Sequence, residues 1–321
     1  MWNGSASSLI AAGPPASRWR TARRVGSASA WKTLLRSALW LGIYLSIAAF
    51  AHAEDRYFDS AGTRIHYVER GAGPPLVLVH GFTGAVQCCW IENGILPELA
   101  RDHRVIALDL RGHGLSGKPH DPAAYDEIGR DVIRLLDHLG LRRAHVVGFS
   151  LGGIIVAKLL TTDPERFRSA ILAGAAPRRS RSNESDQATE QAAREMEKGS
   201  YRTLILSTAP IDEPTPSEAA IVARSREIAA SNDPIAHAAL MRSRRALLVA
   251  DADIAAVRVP TLAILGAMDP AVPRVHGLKK RWPLLKVIVV EGATHPARHP
   301  RSLLNRPEFV AAVREFVAAN P

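Results

Sequence analysis

Val146-Val147-Gly148-Phe149-Ser150-Leu151-Gly152-Gly153 is the stretch on which the fold turns. A β-branched run stops at a serine set between glycines, and an apolar, helix-forming run follows. That order predicts a strand, a sharp turn and a helix, with Ser150 at the turn. A G-x-S-x-G elbow holds its serine in a strained backbone conformation, so that Oγ projects clear of the sheet edge. Gly148 and Gly152 leave room for so tight a bend, and Gly153 lets the helix pack closely on the strands. An ordinary strand-to-helix turn uses the same residue types, so the surrounding sequence has to carry the reading.

A serine hydroxyl needs a base, an orienting carboxylate and donors for the developing oxyanion before it can act as a nucleophile. Downstream, residues 260–265 read as an apolar strand ending in Gly266-Ala267-Met268-Asp269-Pro270, which makes Asp269 the expected acid. Residues 286–290 read as a second buried strand, followed by Glu291-Gly292-Ala293-Thr294-His295-Pro296, which makes His295 the expected base. His299, four residues on in a polar loop, is its rival. The strand after the nucleophile helix, 170–176, is followed by no carboxylate until Glu184, and this favours Asp269. For the oxyanion, the amides of Leu151 and of Phe82, in the loop after an apolar strand at 75–80, are the expected donors. The order serine, acid, histidine differs from that of chymotrypsin and subtilisin.

Five motifs then stand in sequence: His80-Gly81-Phe82, Asp109-Leu110-Arg111-Gly112-His113-Gly114-Leu115-Ser116, the Ser150 elbow, Gly266-Ala267-Met268-Asp269 and Gly292-Ala293-Thr294-His295. Together, over residues 56–321, they resemble the α/β-hydrolase superfamily, and within it the small bacterial esterases, enol-lactonases and carbon-carbon bond hydrolases. The resemblance implies an α/β fold: a mostly parallel sheet with helices on both faces and a helical cap insertion. It implies a serine hydrolase acting on an ester, thioester or lactone, with no cofactor and no metal. A carbon-carbon bond hydrolase, a lyase, a cofactor-free perhydrolase and a hydrolase-like ligand-binding protein are the alternatives. A serine nucleophile sets the chain apart from the aspartate-dependent dehalogenases and epoxide hydrolases. In the family's pattern Asp109 and Arg111 form a structural turn, while His113 and His80 order the loops beneath the site.

The rest of the chain agrees with this architecture. Residues 56–59 and 63–70 flank Ser60-Ala61-Gly62 as a hairpin, and 103–109 reads as a further strand. Within 125–139, Ile128, Val132, Leu135, Leu136 and Leu139 recur at helical spacing up to Gly140. Buried strands alternating with helices predict a sheet covered on both faces, with ligands beyond the carboxyl ends of its strands. The core is therefore expected at 54–176 and 252–321. Between 177 and 251 the alternation breaks and Arg, Ser, Glu, Gln and Ala dominate. This is the expected cap, with helices at 185–198, 217–230 and 233–248. Tyr201 and Leu206 are its candidate pocket residues, in a candidate wall with Leu204, Ile205, Ile211, Ile221, Leu240 and Met241 that suits a small or medium apolar acyl group.

Residues 1–53 do not belong to that fold. They carry Arg18, Arg20, Arg23, Arg24, Lys32 and Arg36 with no acid, then an apolar core from Ala38 to Phe50 and Ala51-His52-Ala53. That pattern predicts a secretory signal peptide cleaved before Glu54, and hence a periplasmic or secreted protein. The apolar core is shorter than the ~20 residues of a spanning helix, so a retained membrane anchor is the minor alternative. Of 41 basic residues against 31 acidic ones, six lie in this segment, which leaves the remainder only weakly basic. No basic, aromatic-interleaved patch suggests nucleic acid. The expected partner is a small-molecule ester or lactone, with membrane contact only through an uncleaved N-terminal segment; oligomeric state is not legible. Cys88 and Cys89 are adjacent, poor geometry for a disulfide and too few for a metal, and are read as two thiols without a role.

Overall fold

The computed structural model describes residues 54–178 and 183–321. Residues 1–53, read above as a signal peptide, lie outside the described residues. Strands β1 (Arg56–Ser60) and β2 (Thr63–Arg70) form the expected antiparallel hairpin. Its two turn residues, Ala61 and Gly62, have φ of 52° and 80°, the sign that a two-residue turn needs to match the strands' right-handed twist. Strands β3 (Pro75–Val79), β4 (Arg104–Leu108), β5 (Ala144–Phe149), β6 (Phe167–Ala173), β7 (Thr261–Gly266) and β8 (Leu285–Val290) complete an eight-stranded sheet. Its order is β1-β2-β4-β3-β5-β6-β7-β8, antiparallel between β2 and β4 and parallel from β4 onward.

Alternation along the central strands explains why both faces are covered. Val77, Val79, Ile106, Leu108 and Val146 pack on one face with Val132, Leu136, Ile155 and Leu159, from the helices Arg130–His138 and Leu151–Thr162. Leu76, Leu78, Val105, Ala107 and Val147 pack on the other with Leu96 and Leu99 of Ile95–Leu99 and with Phe309 and Val313 of Pro307–Ala318. Side chains of a strand point alternately to opposite faces, so consecutive apolar residues serve two cores.

Two departures from the sequence reading have local causes. Strand β8 was expected to be buried, yet among the described residues it pairs with β7 alone at the edge of the sheet, and Ile288 and Lys286 reach solvent. The helix expected over 125–139 is shorter, Arg130–His138, because Asp121 caps a preceding 3-10 turn at Pro122–Tyr125.

The insertion is helical: Asn183–Glu197, Glu218–Ala230 and Pro234–Ser243 match the expected helices, the last prolonged by a 3-10 turn, Arg244–Leu247. Ser217 and Asp233 cap their helices by accepting backbone N–H bonds, as short polar side chains at that position do. A fourth helix, Arg202–Ser207, had no sequence signal of its own.

Candidate active site

Ser150 follows β5 directly, with φ 52° and ψ −112°, and its amide donates to the Ala173 carbonyl at 2.8 Å. A non-glycine residue pays about 1–3 kcal/mol for such a conformation, which persists only where neighbours enforce it. The neighbours here leave no alternative. A Cβ on Gly148 would stand 2.3 Å from the Gly152 carbonyl oxygen, and one on Gly152 would stand 2.2 Å from that of Val79.

The elbow delivers Ser150 Oγ to 2.9 Å from His295 Nε2. His295 Nδ1 lies 2.7 Å from Asp269 Oδ2, and the second carboxylate oxygen of Asp269 accepts the Ala271 amide at 2.7 Å. Both Asp269 oxygens are thus engaged in a carboxyl group that is 2% exposed. The His295 ring stacks on Phe149, centroids 5.5 Å apart, which fixes its plane. Serine, histidine and aspartate come from loops after β5, β8 and β7, so all three sit at the carboxyl edge of the parallel strands.

Phe82 and Leu151 flank the same point. Among the described residues, neither backbone amide donates to a protein acceptor, and both residues line a cavity with Ser150. The loop that presents Phe82 is held from below. Its next residue, Thr83, has φ 60°, and Gly84 donates to the Gly81 carbonyl at 3.1 Å. His80 accepts the Leu110 amide at Nε2 and gives its Nδ1 proton to the Gly81 carbonyl, tying this loop to the one after β4. In that second loop Asp109 accepts the amides of Val86 and Leu115 and pairs with His66 at 2.8 Å. Burial works against its charge, but the His66 bond, His80 and these amides outweigh it and hold the carboxyl below its ordinary range. Arg111 makes a bidentate bond to the buried Asp131.

Among the described residues His299 makes no hydrogen bond to Ser150 or Asp269: its Nε2 is 3.2 Å from Glu213 and its Nδ1 accepts the Arg301 amide. Cys88 and Cys89 are free thiols with their sulfurs 3.9 Å apart.

Two cavities meet at Ser150. One, of about 240 Å³, runs past Phe149, Cys88, Ile205 and Ile228. The other, of about 700 Å³, runs past Leu151, Ile154, Ala192 and Met241. Phe82, Leu204, Thr208 and His295 border both. Tyr201 and Leu206, the expected pocket residues, line neither, and this corrects the sequence reading. On a helix, positions i and i+4 share a face while i and i+2 point nearly opposite ways, so Leu204 and Thr208 turn toward the site and Leu206, midway between them, turns away. Tyr201 is fully buried in the insertion's own small core, its hydroxyl 2.9 Å from His237 Nδ1.

A parallel sheet with a serine elbow and a histidine and aspartate at its carboxyl edge defines an α/β hydrolase. The family model for the alpha/beta hydrolase fold matches residues 74–298, and the chain belongs to that family of hydrolases. The dihydrolipoyllysine-residue acetyltransferase component of the acetoin cleaving system from Pseudomonas putida is 41% identical over 120 residues, 37% of this chain and 32% of that protein. The 2-hydroxymuconate semialdehyde hydrolase of Pseudomonas sp. (strain CF600) is 38% identical over 123 residues, 38% of this chain and 43% of that one. The chain thus matches less than half the length of either relative. A thermophilic esterase from Thermogutta terrifontis superposes with a TM-score of 0.66 at 22% identity, covering 83% of this chain and 99% of that one, a likeness of fold.

Proposed function

We propose that this protein is a serine hydrolase that cleaves a carboxylic ester, thioester or lactone through an acyl-enzyme. The observation that carries the reading is the continuous line from Ser150 Oγ to His295 at 2.9 Å and from His295 to Asp269 at 2.7 Å. His295 takes the Ser150 proton as Oγ attacks the carbonyl carbon, then gives it to the leaving oxygen or sulfur. It next takes a proton from water, whose oxygen attacks the acyl carbon, and returns that proton to Ser150 Oγ as the bond from Oγ to the acyl carbon breaks. Asp269 keeps the imidazole in the tautomer with Nε2 open toward the serine and stabilises the imidazolium that forms. The amides of Phe82 and Leu151 receive the oxyanion; a preorganised donor of this kind lowers the barrier by about 3–4 kcal/mol. The segment 177–251 is the cap, and Leu204, Ile205, Ala192 and Met241 from its helices form the substrate-facing part.

The test is covalent. The full chain, treated with a fluorophosphonate, is expected to gain one adduct on the peptide containing Ser150 and to hydrolyse p-nitrophenyl acetate before treatment but not after. An unlabelled, inactive protein would leave a hydrolase-like fold without this chemistry.

A further inference from the structure

Three arginines line the larger cavity beside Ser150: Arg178, Arg244 and Arg274. They come from three separate segments. Arg178 follows β6, Arg244 opens the 3-10 turn after the insertion's last long helix, and Arg274 lies in the short helix Val272–Leu278 beyond Asp269. The described residues lining the cavity include no carboxylate at all.

Several arginines around the insertion are neutralised by carboxylates. Arg242, two residues before Arg244, contacts Glu190 at 3.1 Å and Glu197 at 2.5 Å, and Arg301 contacts Asp212 and Glu213. By contrast, among the described residues none of the three cavity arginines forms an ion pair. Among the described residues the Nε atoms of Arg178 and Arg244 are buried with no hydrogen-bond partner, and Arg244 Nη1 contacts the Met241 sulfur at 3.3 Å. Asp186 and Glu190 line a neighbouring groove that shares Arg178 and Arg244, but Glu190 is already taken by Arg242 and Arg194. Burial and the charges of Arg178 and Arg274 together pull Arg244 down to about 9. Arg178 is lowered by burial and then by Arg274, with Asp186 opposing. Clustered like charges without a counter-ion are costly, and an anion placed among them removes that cost.

We propose that this chamber is an anion subsite, in which Arg178, Arg244 and Arg274 hold the terminal oxygens of a carboxylate- or phosphate-bearing arm of the substrate while its scissile carbonyl lies at Ser150. Guanidinium groups suit this because their planar forks match the paired oxygens of both anions. The arm takes no part in bond exchange: the bond from Oγ to the acyl carbon forms, the ester bond breaks, and the anion keeps its charge throughout. The proposal rests on the serine-hydrolase reading and narrows its substrate class to acidic esters, thioesters or lactones.

Binding is to be measured apart from turnover, by calorimetric titration of the full-length Ser150→Ala protein with adipate and, separately, with phenyl phosphate. At least one is expected to bind, and the tighter of the two tells carboxylate from phosphate. Adding Arg244→Met is expected to raise Kd at least tenfold. Adding Arg274→Gln, at an exposed position whose change spares the core, is expected to raise it at least threefold. In the unsubstituted protein the same anion is expected to inhibit p-nitrophenyl acetate hydrolysis competitively, because the chamber opens on Ser150. Absence of binding by both anions, or a Kd that neither arginine substitution changes, overturns the subsite. Failure of the hydrolase reading has a different signature: anion binding that responds to the arginines in a protein that no fluorophosphonate labels.

Discussion

The sheet core and the helical insertion hold their polar groups in opposite ways. In the core, Asp269, Asp109 and the Arg111–Asp131 pair are buried, and each makes two or more hydrogen bonds. In the insertion, Arg202–Glu218, Arg224–Glu227 and Arg242–Glu197 lie at the surface, where such pairs contribute about 0–1 kcal/mol. Its apolar core is also small, built around Met196, Tyr201 and Met241. The difference teaches where precision is required. On the proposed mechanism, proton transfer would tolerate errors of only tenths of an ångström, which suits groups held on buried, over-bonded loops. A substrate-sorting wall, the role proposed for the insertion, would tolerate more, which fits a segment with weaker anchoring.

The largest effect that tests this contrast is loss of the triad. Ser150→Ala and His295→Ala are each expected to lower kcat/KM for p-nitrophenyl acetate by about 10⁴-fold or more, with little change in folding. The double variant should be no slower than either single one, because groups that act as a unit lose nearly everything when one goes. Multiplied losses in steady-state assays would break the picture of one rigid device.

A smaller effect is expected where the two regions touch. His237, from the insertion, packs on Phe82 and His113 with ring centroids 4.7 and 4.5 Å away. Burial, reinforced by His80 and Lys118 and opposed by Asp233, pushes His237 down to about 3. Burial also holds His113 well below the usual histidine range. Both are neutral in the folded protein at pH values where an unfolded chain, with a histidine pKa near ~6.5, binds protons. Stability is therefore full above about pH 6.5 and declines as pH falls toward the folded values, by up to about 1.4 kcal/mol per pH unit for each group. His237→Phe should flatten that slope in urea denaturation run at pH 7, 6, 5 and 4. An unchanged slope would remove this contact as the acid-sensitive joint between the regions.

The smallest effect sharpens the insertion's role. Leu204→Ala and Ile205→Ala are expected to shift the kcat/KM ratio between p-nitrophenyl acetate and p-nitrophenyl octanoate several-fold, about 1 kcal/mol. Leu206→Ala and Tyr201→Phe should leave it unchanged, since neither side chain reaches the cavities. Equal shifts from all four would mean that the helix acts as a cover and not through a particular face.

Much of the core was legible because its signals are local. β-branched runs, glycines beside Ser150 and a polar residue just past an apolar strand are each contained in a few neighbouring residues, and Asp269 and His295 follow from that pattern. The insertion was legible only in outline. Ser217 and Asp233 mark helix starts, but the face that Arg202–Ser207 turns to the cavity depends on how the helix docks, and no cap or periodic run announces it. Strand β8 misled for a related reason: apolar content does not say whether a strand lies inside a sheet or at its edge.

By itself the sequence determined where the candidate residues sit: an elbow serine, then an acid, then a histidine, each placed just after a β-strand of a sheet covered on both sides. Local sterics and hydrophobic alternation suffice for that, because a strand's end and a turn's strain are properties of adjacent residues. Only the tertiary structure decided which insertion residues border Ser150, that Phe149 stacks on His295, and that Arg178, Arg244 and Arg274 share a cavity without a carboxylate. Those relations join residues as far apart in sequence as Phe149 and His295, and such contacts depend on how whole elements pack.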